Sequence, residues 1–413
     1  VFKKLTASGA LSGRPIRTVL VAAGVVAVAV TLVLLTRGAA TQPPAPALAT
    51  VEPTATPPVA EGPALEAAGA RTELVAFYAN FDQEGFASLE RNAEHIDVLM
   101  PMWFHLGSDG QLTFDSSQAA RVGEIIAAKN PDMKVMPIVN NYDKAAEQWN
   151  APAVSAMIAD PTRRIGIAEH IVSTLSQAGY DGVNIDFENF TEADRGNLVA
   201  FMAELYPRAK AAGLEVSMDV IVMSRTYDHA ALAQHVDYLV PMMYDEHWKT
   251  SPAGPISSIP WFQQALERFL QQVPAEKVTM GVGTYAYDWS GAGGRAKSLT
   301  YQKAVALAQQ HGAAISLSDP TLNSSFSYSD GTAPHAVWML DAMSAFNQVS
   351  IASKYGVRGY AIWRLGAEDP SLWDVLPKRD ALDRAVAESL ARDKRTVTYD
   401  EARSLITSGT TNP

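Results

Sequence analysis

The 413-residue chain contains no cysteine. That excludes disulfides and thiolate metal sites. Its eight histidines form neither an HxH nor an HExxH pair, so no metal is expected. No Gly-x-Ser-x-Gly elbow is present for a serine nucleophile. The one glycine-rich stretch, Gly291 to Arg295, lacks the Lys-Ser/Thr ending of a phosphate loop and reads as a flexible loop, so no cofactor is expected. Positive charge is concentrated at one end. The first 50 residues hold five basic and no acidic side chains, which leaves −16 on residues 51–413 against −11 for the whole chain. So acidic a body argues against nucleic acid or anionic lipid as its ligand.

The longest uncharged run in the chain is strongly apolar. Thr18 to Thr36 carries 19 residues without a charge, enough for roughly 28 Å of helix, close to the thickness of a bilayer core. Lys3, Lys4, Arg14 and Arg17 precede it, and Arg37 follows. The positive-inside rule then expects a cytoplasmic N-terminus and an extracytoplasmic remainder. A cleaved signal peptide ending near Ala47-Leu48-Ala49 is the competing reading. Gly38 to Ala70 contains seven prolines, a composition suited to an extended tether rather than a core. The expected organisation is thus a cytoplasmic N-terminus and transmembrane anchor (1–37), a linker (38–70), a folded domain (71–378), and a C-terminal helix with a polar tail (379–413).

The folded part contains eight short strand-like runs: Leu74–Tyr78, Ile96–Phe104, Lys134–Val139, Gly182–Glu188, Glu215–Val222, Tyr238–Tyr244, Val278–Tyr285 and Gly359–Trp363. Segments of helical period separate most of them. Ile167, Ile171, Leu175 and Ala178 recur every three or four residues before Gly179. Thr191, with Asp194 three residues on, is the expected cap of a helix whose inner stripe is Leu198, Phe201 and Leu205. Eight strand–helix alternations predict a (β/α)8 TIM barrel, with an open doubly wound sheet as the alternative. A small α+β insertion is expected at about 295–345, between strands seven and eight. It would hold a helix at Tyr301–His311 and a hairpin at Asp330-Gly331.

The fourth run, DGVNIDFE, is the chemically informative one. On a strand, residues two apart point the same way, about 6.6–7 Å from each other. Asn184, Asp186 and Glu188 therefore share the inward face, and Val183, Ile185 and Phe187 lie under the helices. Barrel active sites lie at the C-terminal ends of strands, where Glu188 falls. Paired carboxylates raise one another's pKa, so Glu188 is expected to stay protonated and serve as a general acid. The competing reading is a structural polar network at the barrel mouth.

The run resembles the D-G-x-D-x-D-x-E signature of family 18 glycoside hydrolases. The resemblance continues through Met243-Tyr244-Asp245 and Ala361-Ile362-Trp363, over most of 73–376. It is nearest to the branch with spore-cortex-lytic enzymes and to the family 18 domains of bacterial proteins that also carry a glycosyltransferase and a polysaccharide deacetylase. It implies that Glu188 is the acid and that Asp186 orients the substrate's 2-acetamido group, whose oxygen attacks the anomeric carbon. It further implies that Tyr244 bonds that oxygen and Trp363 floors the sugar pocket. Asp181, Asp245, Tyr78, Trp103 and Tyr285 complete the expected substrate-binding set, although core packing competes for each aromatic. Asn184 stands where many chitinases have Asp; it can hydrogen-bond Asp186 but cannot take its proton. The expected activity is retaining hydrolysis of β-linked N-acetylglucosamine polymers such as peptidoglycan, poly-N-acetylglucosamine or chitin-like chains, with envelope polysaccharide machinery as possible company. The rival is a non-catalytic glycan-binding barrel. Lectin-like members usually lack the final Glu, so Glu188 favours an enzyme. A purely structural envelope scaffold is the third reading.

Overall fold

A computed structural model describes residues 72–376, apart from 81–82 and 116–117. The apolar segment 18–36, the proline-rich linker and the tail 379–413 lie outside the described residues. Among the described residues no helix is long and apolar enough to cross a membrane.

The architecture is α/β, a curled parallel sheet with helices outside it. The strands, in chain order, are Glu73–Tyr78, Val98–Pro101 continued by Phe104–Leu106, Lys134–Val135 continued by Ile138–Asn140, Gly182–Asp186, Glu215–Ile221, Tyr238–Met242, Thr279–Gly283 and Gly359–Trp363. Each pairs in parallel with the next, and the last pairs with the first. The pairing returns to its start through the split third strand, which excludes an open doubly wound sheet. That split falls at Met136 and Pro137. Proline has no N–H for the ladder, yet the segment stays in the sheet: Met136 N–H donates to Leu99 O and Pro137 O accepts from Asn184 N–H.

Alternation along the strands builds two cores. Val183, Ile185 and Phe187 pack outward with Leu198, Phe201 and Leu205 of helix Arg195–Ala211, and with Ile167, Ile171 and Leu175 of helix Pro161–Gln177. Inside the ring, Val75, Phe77, Met100, Ile138, Tyr238 and Val240 form an apolar plug. Its N-terminal end is closed by ion pairs. Arg358 reaches Glu73 at 3.1 Å and Glu215 at 2.6 Å, Lys134 reaches Glu215 at 2.8 Å, and the Arg358 guanidinium lies over the Tyr238 ring. Thr191 and Asp194 pair as expected, but they bracket a single 3-10 turn, Glu192–Asp194, that leads into the helix.

Between the seventh and eighth strands lies an antiparallel sheet ordered Lys297–Leu299, Ala286–Ser290, Pro334–Met339, Asn323–Ser329, Ser316–Ser318. Tyr301, Ala304 and Ala308 of helix Tyr301–His311 pack on it. Asp330-Gly331 makes the hairpin, with Gly331 at φ +89 and the Asp330 carboxylate accepting from the N–H groups of Thr332 and Ala333. The sheet takes in Ala286–Ser290, nine residues before the expected start at 295, because only Thr284 and Tyr285 separate it from the seventh strand and neither is a turn-forming residue.

Candidate active site

The polar side chains of the ring interior collect above the apolar plug. Asn140, Asn184, Asp186, Ser217 and Asp219 occupy successive inward positions of strands three, four and five, all buried. They underlie a cleft of ≈ 770 Å³ at the C-terminal ends of the strands. Asp186, Glu188, Tyr244, Asp245, Tyr285 and Trp363 all line it, so most of the expected residues meet in one place.

Glu188 lies two residues past the end of its strand, not on it as expected. It keeps the inward direction because the Asn141 side chain substitutes for a neighbouring strand. Asn141 Oδ1 accepts from Glu188 N–H and Asn141 Nδ2 donates to Glu188 O, both at 2.9 Å. Tyr227 adds a hydroxyl donated to Phe187 O at 2.8 Å. Asn189, at φ +62, then turns the chain away.

Electrostatics follow from crowding acids in a dry place. Burial pushes Asp186 up to about 7. Glu188 is held well above the usual carboxylate range by burial first, then by the charges of Asp186 and Asp245. Asp219 is raised similarly, by burial and then by Asp186, although a hydrogen bond from Asn184 opposes this. Tyr244 is raised well above its usual value by burial and the surrounding carboxylates, so it remains a hydroxyl donor. Asp245, also at positive φ, accepts from the hydroxyls of Tyr285 and Tyr287. Trp363 and Phe77 pack in a T-shaped pair, ring centroids 5.2 Å apart, and Trp363 lines the cleft.

Four expectations are corrected. Asp181 is at the other end of its strand, where its carboxylate accepts from Val135 N–H at 2.7 Å, beside the ion pairs that close the ring. Tyr78 is wholly buried, with its hydroxyl donated to Gln118. Trp103 is buried against Phe114 and Tyr180. Both rings are core rather than cleft. Asn184 does not bond Asp186: its Nδ2 donates to Asp219 Oδ2 at 2.9 Å and its Oδ1 accepts from Ser217 Oγ at 2.7 Å. Asp219 is the main residue the motif reading missed. Its signal was present, a polar parity of Glu215, Ser217 and Asp219 in an otherwise apolar strand. Trp149, Trp261 and Lys249 also line the cleft unannounced, and Trp248 stands 51% exposed on its wall.

A parallel α/β ring whose C-terminal mouth holds a buried carboxyl of raised pKa beside a second buried acid, between aromatic walls, is an arrangement suited to a glycoside-cleaving enzyme. The sequence model of glycosyl hydrolases family 18 matches residues 73–368, and the chain belongs to that family. It is 28% identical over 273 residues to a sporulation-specific glycosylase of Bacillus subtilis, covering 63% of this chain and 64% of that protein. It is 26% identical over 284 residues to the cortical fragment-lytic enzyme of the same organism, covering 63% and 65%. The chain therefore spans just under two thirds of the length of both relatives. The crystal structure of a chitinase from Chromobacterium violaceum superposes with a TM-score of 0.69 at 24% identity, over 76% of this chain and all of that one, which shows a shared fold.

Proposed function

We propose that this protein is a retaining glycosidase acting on β-linked N-acetylglucosamine polymers, with the substrate's acetamido group as the nucleophile. The observation that carries the reading is the placement of Asp186 and Glu188 on one side of one cleft. Two acids from one strand approach the scissile bond together, so the attacking group has to come from elsewhere. Glu188 donates its proton to the leaving oxygen while the acetamido oxygen closes on the anomeric carbon. Asp186 accepts the acetamido N–H, Tyr244 donates to the acetamido oxygen, and Trp363 supports the sugar ring. The Glu188 carboxylate then takes a proton from water, which opens the cyclic intermediate and retains the configuration. The spore-cortex relatives favour an envelope polymer such as peptidoglycan.

Mass-spectrometric product analysis on peptidoglycan and on β-1,4 and β-1,6 N-acetylglucosamine oligomers tests the reading. Glu188→Gln is expected to lower kcat by about 10²–10⁴-fold with KM little changed; undiminished turnover would sink the mechanism. A thiazoline analogue of the cyclised acetamido group is expected to inhibit, and its failure on active protein would require a protein nucleophile.

The proposed location is extracytoplasmic, with residues 18–36 as anchor and 38–70 as tether, a reading supported by sequence alone. Full-length protein should fractionate with membranes and resist salt extraction, whereas a chain lacking 18–36 should not. Equal partitioning of the two would refute the anchor.

A further inference from the structure

We propose that Asp219 is the proton partner of Asp186, a carboxyl group on the fifth strand doing the work that the motif leaves to an amide at Asn184. The inference rests on the reading of Asp186 as the group that holds the acetamido N–H. In the parallel register Ser217 lies beside Asn184 and Met218 beside Ile185. The next inward position of the fifth strand, Asp219, therefore lies beside Asp186. Asp186 and Asp219 are only 4% and 5% exposed. Two negative charges side by side at such depth are costly, so the pair shares one proton.

The hydrogen bonds say which atom of Asp219 carries it. Asn184 Nδ2 donates to Asp219 Oδ2, which fixes that oxygen as an acceptor. In this orientation of the amide, Ser217 Oγ donates to Asn184 Oδ1. Asp219 Oδ1 is buried with no partner, which leaves it as the oxygen that holds the proton and donates to Asp186. The opposite flank is built similarly. Asn140 is in register with Asp186 on the third strand. Its Oδ1 is held by the His105 ring at 2.7 Å and by Tyr142 N–H at 3.1 Å, while its Nδ2 is buried and unpartnered. Asp186 thus sits between one free N–H donor and one free carboxyl oxygen. The titratable groups acting on or sensing Asp219 are Asp186, Glu188, Tyr227 and Tyr244, none of them cationic. Lys249, on the wall of the same cleft, acts on Asp245 and is not among the groups that shift Asp186 or Asp219.

Proton balance is simple. The shared proton rests on Asp219 while Asp186 accepts the acetamido N–H as a carboxylate. It stays with the pair throughout, because Glu188 supplies the leaving group and recovers its proton from water. Asp219 is in this sense a positioning residue that sets the charge of Asp186.

The test moves the carboxyl group back. Wild type, Asp219→Asn and the double variant Asn184→Asp/Asp219→Asn are compared on the β-1,4 N-acetylglucosamine tetramer and on peptidoglycan. Asp219→Asn is expected to lose at least about tenfold in kcat with KM within about twofold, and to shift the acidic limb of the kcat–pH profile. The double variant should recover both. A merely structural Asp219 predicts an unshifted profile in Asp219→Asn and no recovery, and either result overturns the proposal. Infrared difference spectra of wild type against each folded variant at neutral pH need no substrate. A carboxylic acid band assignable to Asp219 supports the proposal, and its absence overturns it. If wild type cleaves neither probe, the glycosidase reading fails, and the infrared result still decides the proton partner.

Discussion

At the scale of single residues, the cleft favours the neutral form of a carboxyl group that water would ionise. Glu188 owes its raised pKa to burial, then to Asp186 and Asp245. Because the folded pKa is raised, the acid form is lost as pH rises through it, and kcat/KM should fall on the alkaline side. Removing one of the causes should move that limb. Asp245→Asn deletes a neighbouring charge, so the alkaline limb is expected at lower pH, read from pH–rate profiles of the two proteins; an unmoved limb would place the titrating group elsewhere. Residues of this kind were legible unevenly. Glu188 and Asp186 were visible because one strand-like run of sequence carries both. Asp181 belongs to the same motif, yet it lies seven residues from Glu188, roughly 23 Å along an extended chain, and so falls at the opposite end of the ring. Asp219 was hidden because its partnership with Asn184 crosses strands, and strand register is not written in either segment alone.

At the scale of elements, the approach of strands four and five sets the geometry of the acid pair. Gly182 begins strand four where a side chain has no room. A Cβ there would lie 2.5 Å from the carbonyl oxygen of Glu215 and 2.9 Å from Met136. The carbonyl belongs to the neighbouring backbone and cannot swing aside. Gly182→Ala is therefore expected to push the strands apart and to cost about 1–3 kcal/mol, the usual range for overpacking. Since those strands carry Asp186 and Asp219, activity should fall more than the melting temperature alone explains; chemical denaturation and turnover measured on the same preparation check both. All eight strands could be read from short apolar runs separated by helical periods, since that alternation is what a parallel ring requires. Their ends could not. The second and third runs each break into two strands, one break at Met136 and Pro137 and the other between Pro101 and Phe104. The seventh run passes into the inserted sheet through Thr284 and Tyr285, which carry no turn signal.

At the scale of the whole molecule, buried titratable groups of opposing effect set how stability changes with pH. Asp186, Glu188 and Asp219 have raised folded values, with Asp186 near 7. Their neutral forms are the ones the fold favours, so the stability they confer is full below the ordinary carboxylate range and is lost as pH rises through the folded values. His229 works in the opposite sense. Burial lowers it to about 4, so the fold favours its neutral imidazole, and stability is lost as pH falls from its ordinary value near 6.5 toward 4. Between about pH 4.5 and 6.5 the three acids outweigh the one histidine, so the melting temperature should fall as pH rises through that range. The slopes are separable by mutation. Asp219→Asn removes one buried acid and should raise the melting temperature relative to wild type more at pH 8 than at pH 5. His229→Asn removes the opposing slope and should steepen the fall between about pH 4 and 6.5 while leaving the alkaline side unchanged. Melts of the three proteins across pH 4–9 decide the matter. If Asp219→Asn shifted the curve equally at every pH, the carboxyl would be ionised throughout that range. The protonated partner of Asp186 would then have to be sought among other groups.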